Sequence, residues 1–540
     1  MIVFLPLAMQ AQNDLSNDIT VVKGYKPILA EARKITSTPT ADTASVNIPK
    51  LNYAIEPQPL APSYAISPIK AVKIKDENIK KLYRGYLQAG YGFQNTFYGD
   101  LYYNALRSKE FNAGIHAKHL SSTGTISGFG FPGNSNNLVE AFGEKFLEKG
   151  AIGATVAYER DVFHYYGYNA DQTVYSKEDT KHTFNDINGT VYYNSLTTGK
   201  DEMDTKLGLD FYNFTDNYSM KESRFGIGTT LGKNLYNGYL HGDFKFAFTK
   251  FSQPLRDYNR SRLTFFPKYD FNYEPWKFTA GLNLEMEGET TTAFHLYPYA
   301  RFDYTLAEKA VIVYGEYSGF VANHNFRESS KINPFMEDTL YFQNTNNVYN
   351  LKFGTNITID NKMHFNAFVN FAKLKDELFF VNHFTGNAPV TFQPVYSDAN
   401  LTTVHGEFGY ENNTKFNIWL KADYFGYTKL NSAVVKPWAV SPFQFTLSVN
   451  YNLSDKIVLK TDWFIRSESN YQTYDATGVA NGFGKIKPWG DINISAEYRY
   501  SKLLSFYVNL NNLTFNKYQR WYNYPVYRFN ALAGLTYSFK

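Results

Sequence analysis

The sequence predicts an all-β fold: a transmembrane antiparallel β-barrel of roughly 22 strands, preceded by a proline-rich periplasmic extension. Three observations carry this. From Arg84 onward, apolar residues recur at every second position, the period of a strand. The runs last about ten to thirteen residues, enough for a tilted strand to cross a bilayer, against about five or six in a usual soluble strand. The connections alternate between short polar turns and long polar loops, the rhythm of periplasmic turns and outer loops.

Composition agrees. Mean hydropathy is −0.40, and no stretch approaches the roughly 18 to 20 apolar residues of a membrane-spanning helix. Strands that alternate apolar-out and polar-in keep the average low. Tyr 45 and Phe 46 stand beside Trp 6, so aromatics make up 18% of the chain. Cysteine is absent, which excludes disulfides, thiolate chemistry and zinc–cysteine sites. Lys and Arg number 54 against 50 acidic residues, a balance that does not suit a nucleic-acid partner.

The elements follow in order. Residues 1–11 read as a signal peptide: an apolar run, Ile2 to Ala8, leads to Ala11, then Gln12 and Asn13. The basic start of such a leader is missing, which suggests a truncated beginning; the other reading is a short buried strand. Residues 12–83 carry Pro27, Pro39, Pro49, Pro57, Pro59, Pro62 and Pro68, then a basic run from Lys70 to Lys81. That proline density favours extended backbone, so we read a periplasmic arm.

Residues 84–540 form the predicted barrel. Tyr349, Leu351, Phe353, Thr355, Ile357 and Ile359 share one face of a strand. The other faces of this strand and its counterparts supply the candidate lumen lining: Asn350, Lys352, Asn356, Asn366, Asn370, Lys421, Asp423, Lys460 and Asp462. Their mixed signs suit a wet lumen without strong ion preference. Short turns fall at Glu274–Pro275, Asp360–Asn361 and Ser454–Asp455. Between them we expect long polar loops at Ala322–Asn346, Glu377–Asp398 and Ser467–Lys487. Glycine-rich Gly128–Asn137 and Tyr474–Lys485 read as flexible outer loops. The clusters Phe163–Tyr168 and Trp521–Tyr524 read as aromatics at the membrane–water boundary.

The chain finishes on a patterned strand, with Phe529, Ala531, Ala533, Leu535, Tyr537 and Phe539 on one face. A closed barrel needs this, because its last strand must pair with its first. Leu535, Tyr537 and Phe539 resemble the C-terminal signal read by the barrel-insertion machinery, with Lys540 one residue beyond the usual aromatic end.

Asn511, Asn512, Leu513, Asn516, Lys517, Tyr518, Tyr524, Pro525 and Phe539 resemble the end of TonB-dependent outer-membrane receptors. The Tyr, Phe and Asn richness resembles proteins of the Bacteroidota. The resemblance implies a Gram-negative outer-membrane barrel that passes or binds solutes. It also implies a globular plug, for which the arm is too short and too proline-rich. The family's transducer-docking box, which works by strand addition, is similar in character to Asn17–Tyr25, with Asp18, Thr20, Val21 and Val22 as its candidate residues.

No catalytic signature is present: no Gly-x-Ser-x-Gly, no His-Glu-x-x-His and no phosphate loop. We expect no enzyme and no cofactor. Transport and a non-conducting barrel subunit of a larger outer-membrane complex both fit, the second because the plug is missing. Expected partners are outer-membrane lipid and lipopolysaccharide, the insertion machinery, and proteins docking on the 12–83 arm or the outer loops.

Overall fold

The computed structural model describes residues 82–539, except 107, 197–201, 255, 307–309, 338–339, 384–385, 413–414 and 432–433. The leader, nearly all of the proline-rich arm and the Asp18–Val22 segment therefore lie outside the described residues.

Twenty-two strands form one antiparallel sheet, numbered here in chain order. Strands β1 to β8 are Gly85–Gly92, Thr96–Asn104, Phe111–Ser122, Asn134–Leu147, Gly150–His164, Lys181–Ser195, Asp204–Asp216 and Lys221–Leu235. Strands β9 to β15 are Gly238–Ser252, Asp257–Tyr273, Trp276–Gly288, Thr292–Leu306, Val311–Ala322, Thr345–Ile359 and Met363–His383. Strands β16 to β22 are Thr391–Asn412, Phe416–Thr428, Phe443–Leu453, Ile457–Arg466, Trp489–Arg499, Leu504–Asn511 and Asn530–Phe539.

Each strand pairs with its sequence neighbours, and β1 also pairs with β22, from Gly85 opposite Phe539 to Gly92 opposite Leu532. The sheet is therefore closed, with no edge left to hydrocarbon. The seam is glycine-rich for a steric reason. A Cβ on Gly534 would overlap the Ala89 carbonyl oxygen and Gly90 Cα, and one on Gly85 would overlap the Phe539 ring. An even strand count puts both barrel ends on one side, together with the short turns.

The two faces of the sheet differ. One row on each strand leaves large apolar residues exposed: Leu351 and Phe353 on β14, Trp463 and Ile465 on β19, Leu535 and Tyr537 on β22. Exposed apolar residues on this scale mark a lipid-facing surface. Aromatics gather at both ends of that surface. Trp276 packs on Tyr304 at 4.1 Å beside the Glu274–Pro275 turn, and Phe529 packs on Phe93 at 5.7 Å and Phe515 at 5.2 Å at the loop end.

The structure departs from expectation at the loop end. Glu377–Asp398 is not a polar loop: β15 and β16 run on as a hairpin of 21- and 22-residue strands with a bulge between Leu374 and Glu377. Leu374, Phe379, Phe380 and Val381 are all buried, so both sides of this hairpin are packed and the polarity alternation disappears. Ser467–Lys487 carries its own hairpin, Ser469–Tyr474 paired with Ala480–Ile486. The Gly128–Asn137 loop is packed: Gly130 lies against the Tyr168 ring, and β4 already begins at Asn134. The aromatics Tyr165, Tyr168, Trp521 and Tyr524 are buried in protein, not set at a lipid boundary.

Candidate functional site

The connection between β13 and β14, residues 323–344, is the feature on which the site is built. Its sequence places Phe326, Phe335, Met336, Leu340 and Phe342 in an outer loop. That many large apolar groups must be buried against something. Asn325 starts a short helix, α1 (Phe326–Ile332), by accepting a bond from the Glu328 N–H at 2.8 Å. Phe326 and Phe342 are fully buried. Phe326 meets Phe184 of β6 and Phe214 of β7 at 6.0 and 5.7 Å. Phe335 stacks on Tyr524 at 3.6 Å.

Strands β6 and β7 lie several strands from β13 and β14 around the ring. A loop leaving β13 reaches their side chains only through the lumen. The loop is a cap over the interior, and the side chains it meets define the inner face.

Polar anchors fix the cap at separate points. The Glu222 carboxylate on β8 accepts from the N–H groups of Phe326 and Arg327 at 2.8 and 3.2 Å, and also from the Tyr212 hydroxyl. Arg327 pairs with Asp186 of β6 at 2.6 Å, and Lys331 with Glu159 of β5 at 2.9 Å. Arg260 of β10 donates to the His324 carbonyl at 3.0 Å, to Asn344 Oδ1 at 3.1 Å and to the Phe342 carbonyl. Tyr165 donates to the Met336 carbonyl at 2.6 Å; its oxygen lies 2.7 Å from His182 Nδ1, whose Nε2 is 3.0 Å from Asp216. The buried Arg260 and Asp186 need such partners, because leaving a buried charge unpaired costs about 3 to 5 kcal/mol, whereas the Lys331–Glu159 pair is partly solvated. Two groups on the loop carry the mark of burial. The His324 imidazole is pushed down to about 3 by burial and by the nearby Arg260, and burial holds the Glu328 carboxyl above its usual range.

The sequence-predicted wall residues lie on the face opposite the exposed apolar rows. Asn370 Nδ2 donates to Asn350 Oδ1 at 3.3 Å, and Asn366 bonds to Asn356. The Lys352 ammonium sits 5.0 Å from the Phe368 ring. Asp423 lies 3.7 Å from Lys421 and 2.7 Å from His405, and Asp462 accepts from Ser448 at 2.6 Å. Lys460 shares the strand face of Asp462 on β19. These pairs are spread along β14 to β19 and do not converge on one point. Sequence reasoning missed Glu222, Asp186, Arg260 and Arg327, the groups that hold the cap. The available signal was the run of large apolar residues in the outer loop they secure.

No protein-family model matches the chain, and no curated protein matches it. Solved structures do. The FrpB iron transporter from Neisseria meningitidis superposes with a TM-score of 0.65 at 11% identity, over 85% of this chain and 82% of that one. The pyoverdine outer-membrane receptor FpvA from Pseudomonas aeruginosa gives 0.65 at 12% identity, over 85% and 78%. The copper transporter OprC gives 0.62 at 12% identity, over 84% and 80%. The fold is that of the TonB-dependent outer-membrane receptor barrel. In this receptor-type barrel the 323–344 loop is anchored on strands β5 to β10 of the barrel itself.

Proposed function

We propose that this chain is an outer-membrane receptor-type barrel that takes a solute from outside and passes it through the lumen. The cap formed by residues 323–344 does the sealing that a plug does in 22-stranded transporters. The observation that carries this reading is the seating of the cap on the inner walls of β5 to β10, through Glu222, Arg327, Lys331 and Arg260. The fold neighbours, which are named as transporters and receptors of iron, pyoverdine and copper, support import as the activity. They equally support an outer-membrane location and a non-enzymatic role.

The rest of the reading concerns the ends of the chain. Residues 1–11 export the protein and the 12–83 arm stays in the periplasm. There Asp18, Thr20, Val21 and Val22 dock an energy transducer by strand addition. Leu535, Tyr537 and Phe539 serve the insertion machinery. The outward apolar belt meets lipid, and the outer loops meet lipopolysaccharide. Asn350, Lys352, Asn356, Asn366, Asn370, Lys421, Asp423, Lys460 and Asp462 line the solute path beneath the cap.

A second reading, a non-conducting subunit of a larger outer-membrane assembly, draws on the number and burial of the cap's anchors. Planar-bilayer conductance separates the two. The intact chain is expected to be silent, and replacing residues 323–344 with a short Gly–Ser linker is expected to give large, steady channels. Large channels from the intact chain would refute the cap as a seal. Silence from a folded, cap-less barrel would favour the non-conducting subunit.

A further inference from the structure

Alternation assigns each strand residue to lipid or to lumen, and at the loop end of β3 to β10 the lipid side stops being apolar. On β5 the outward row runs Ile152, Ala154, Val156, Tyr158 and then Arg160. From Gly150 at the turn to Arg160, at about 3.3 Å per residue and a tilt of about 40°, the strand rises about 25 Å, the height of the apolar band of such barrels. Arg160 therefore stands where hydrocarbon gives way to headgroups. Its cross-strand partners are Asn137 on β4 and Asn185 on β6, and Asn137 stands opposite His119 on β3. Farther round the wall, Asn213, Ser223, Lys250 and Asn259 form a second polar rung across β7 to β10.

The neutral groups of these rungs satisfy one another. His119 lies 2.6 Å from Asn137 Oδ1 and 3.0 Å from Ser121 Oγ. The Tyr158 hydroxyl donates to Asn185 Oδ1 at 2.9 Å, and Asn213 Nδ2 donates to Ser223 Oγ at 2.7 Å. The cations are different. Arg160, Lys221 and Lys250 share this outward face, and among the described residues none of them has an ion-pair partner. The acids beside Arg160 in sequence point the other way, where Glu159 meets Lys331 and Asp161 meets Asn136. Asp257, the one acid on the outward rows of β3 to β10 among the described residues, stands opposite Ser252 and forms no ion pair.

Lys221 and Lys250 are diagonal neighbours on β8 and β9, about 7 to 8 Å apart, so their ammonium groups repel unless an anion lies between them. Long stems let all three cations reach from the wall to the headgroup layer. A guanidinium fork and two point charges, without competing carboxylates, match phosphate. The amides and hydroxyls around them are already engaged, so the charges and not the neutral groups select the partner.

We propose that the outward face of β3 to β10, at the loop end, docks the phosphates of lipopolysaccharide in the outer leaflet. The surface lies on the barrel wall below the outer loops, and it rests on the outer-membrane location of the receptor reading above. The probe is bisphosphorylated lipid A, titrated against the full chain in maltoside detergent and read by native mass spectrometry. The same lipid after phosphatase treatment is the control. Saturable binding of the phosphorylated lipid is expected, with the dephosphorylated lipid weaker by about tenfold. Arg160→Gln, Lys221→Gln and Lys250→Gln combined should weaken binding by about tenfold as well. Lys145→Gln, on the outward row of β4 at the turn end, should leave it unchanged. Both variants are compared as folded barrels, identified by their heat-modifiable gel shift. Equal binding of the two lipids, unchanged affinity in the triple variant, or an equal loss in Lys145→Gln would overturn the proposal. Insertion of the intact chain into phosphatidylcholine vesicles is measured in parallel. Insertion without lipid A binding overturns the docking surface and leaves the membrane reading standing, whereas failure to insert sinks the membrane reading and the surface with it.

Discussion

At the scale of single residues, the cap is held by groups that are costly to bury and are therefore paired. Arg260 is 5% exposed, yet its planar fork reaches two carbonyls and an amide oxygen, an arrangement a lysine ammonium does not reproduce. His324 beside it is buried neutral, with its pKa pushed to about 3. An imidazole in a released loop titrates near its ordinary value of about 6.5. Between those two values the released loop binds a proton that the seated loop does not, so acidification favours release. Glu328 works the other way: its carboxyl is raised by burial, so the seated loop holds on to a proton as pH falls toward the ordinary carboxylate range. Comparing the intact chain with His324→Gln isolates the imidazole. The protection of amides 323–337 against hydrogen exchange, corrected for the base-catalysed intrinsic rate, is expected to fall from pH 7 to pH 5 more steeply in the intact chain than in the variant. Identical pH dependence in the two would show that His324 leaves solvent exclusion of the cap unaffected.

At the scale of elements, the closing seam is the most demanding contact. The strands β1 and β22 approach so closely that a side chain at Gly534 meets backbone atoms, which cannot swing aside. Gly534→Val is expected to cost at least the ~1 to 3 kcal/mol of an overpacked core and to reduce the heat-modifiable fraction on gels. Wild-type migration and yield would argue against so tight a seam. The same sequence features that expose this seam made most of the barrel legible. Wherever one face meets lipid, alternation locates the strand, as for Leu351, Phe353 and Ile359 against Asn350, Lys352 and Asn356. Where both faces meet protein the signal vanishes, which is why Glu377–Asp398 reads as a polar loop although β16 starts at Thr391. The cap failed for the converse reason. Its charged residues, Arg327, Glu328 and Lys331, give it the polarity of an outer loop. Only partners in space, Asp186 for Arg327 and Glu159 for Lys331, explain why those cations turn inward.

At the scale of the whole molecule, two solvents act on one sheet. Lipid sets the outward row and water, or the cap, sets the inward row, so the chain needs no hydrophobic run despite crossing a membrane. This division predicts opposite responses to the same substitution at adjacent faces of one strand. Phe353 stands near the middle of the outward row of β14, between Tyr349 and Ile359, and is half exposed to the surroundings of the barrel. Phe353→Arg is expected to cost about 2 to 4 kcal/mol in vesicle-refolded protein, the depth-dependent penalty of a charge at the midplane. Asn356→Arg, on the inward row of the same strand, places its guanidinium in the lumen and forfeits little beyond its bond to Asn366. Urea unfolding from vesicles measures both. A large loss for Phe353→Arg beside a small one for Asn356→Arg follows from lipid outside and a wet wall inside. Equal losses would mean that the lumen is as apolar as the membrane, and a reversed order would invert the barrel's faces and with them every lumen residue named for the solute path.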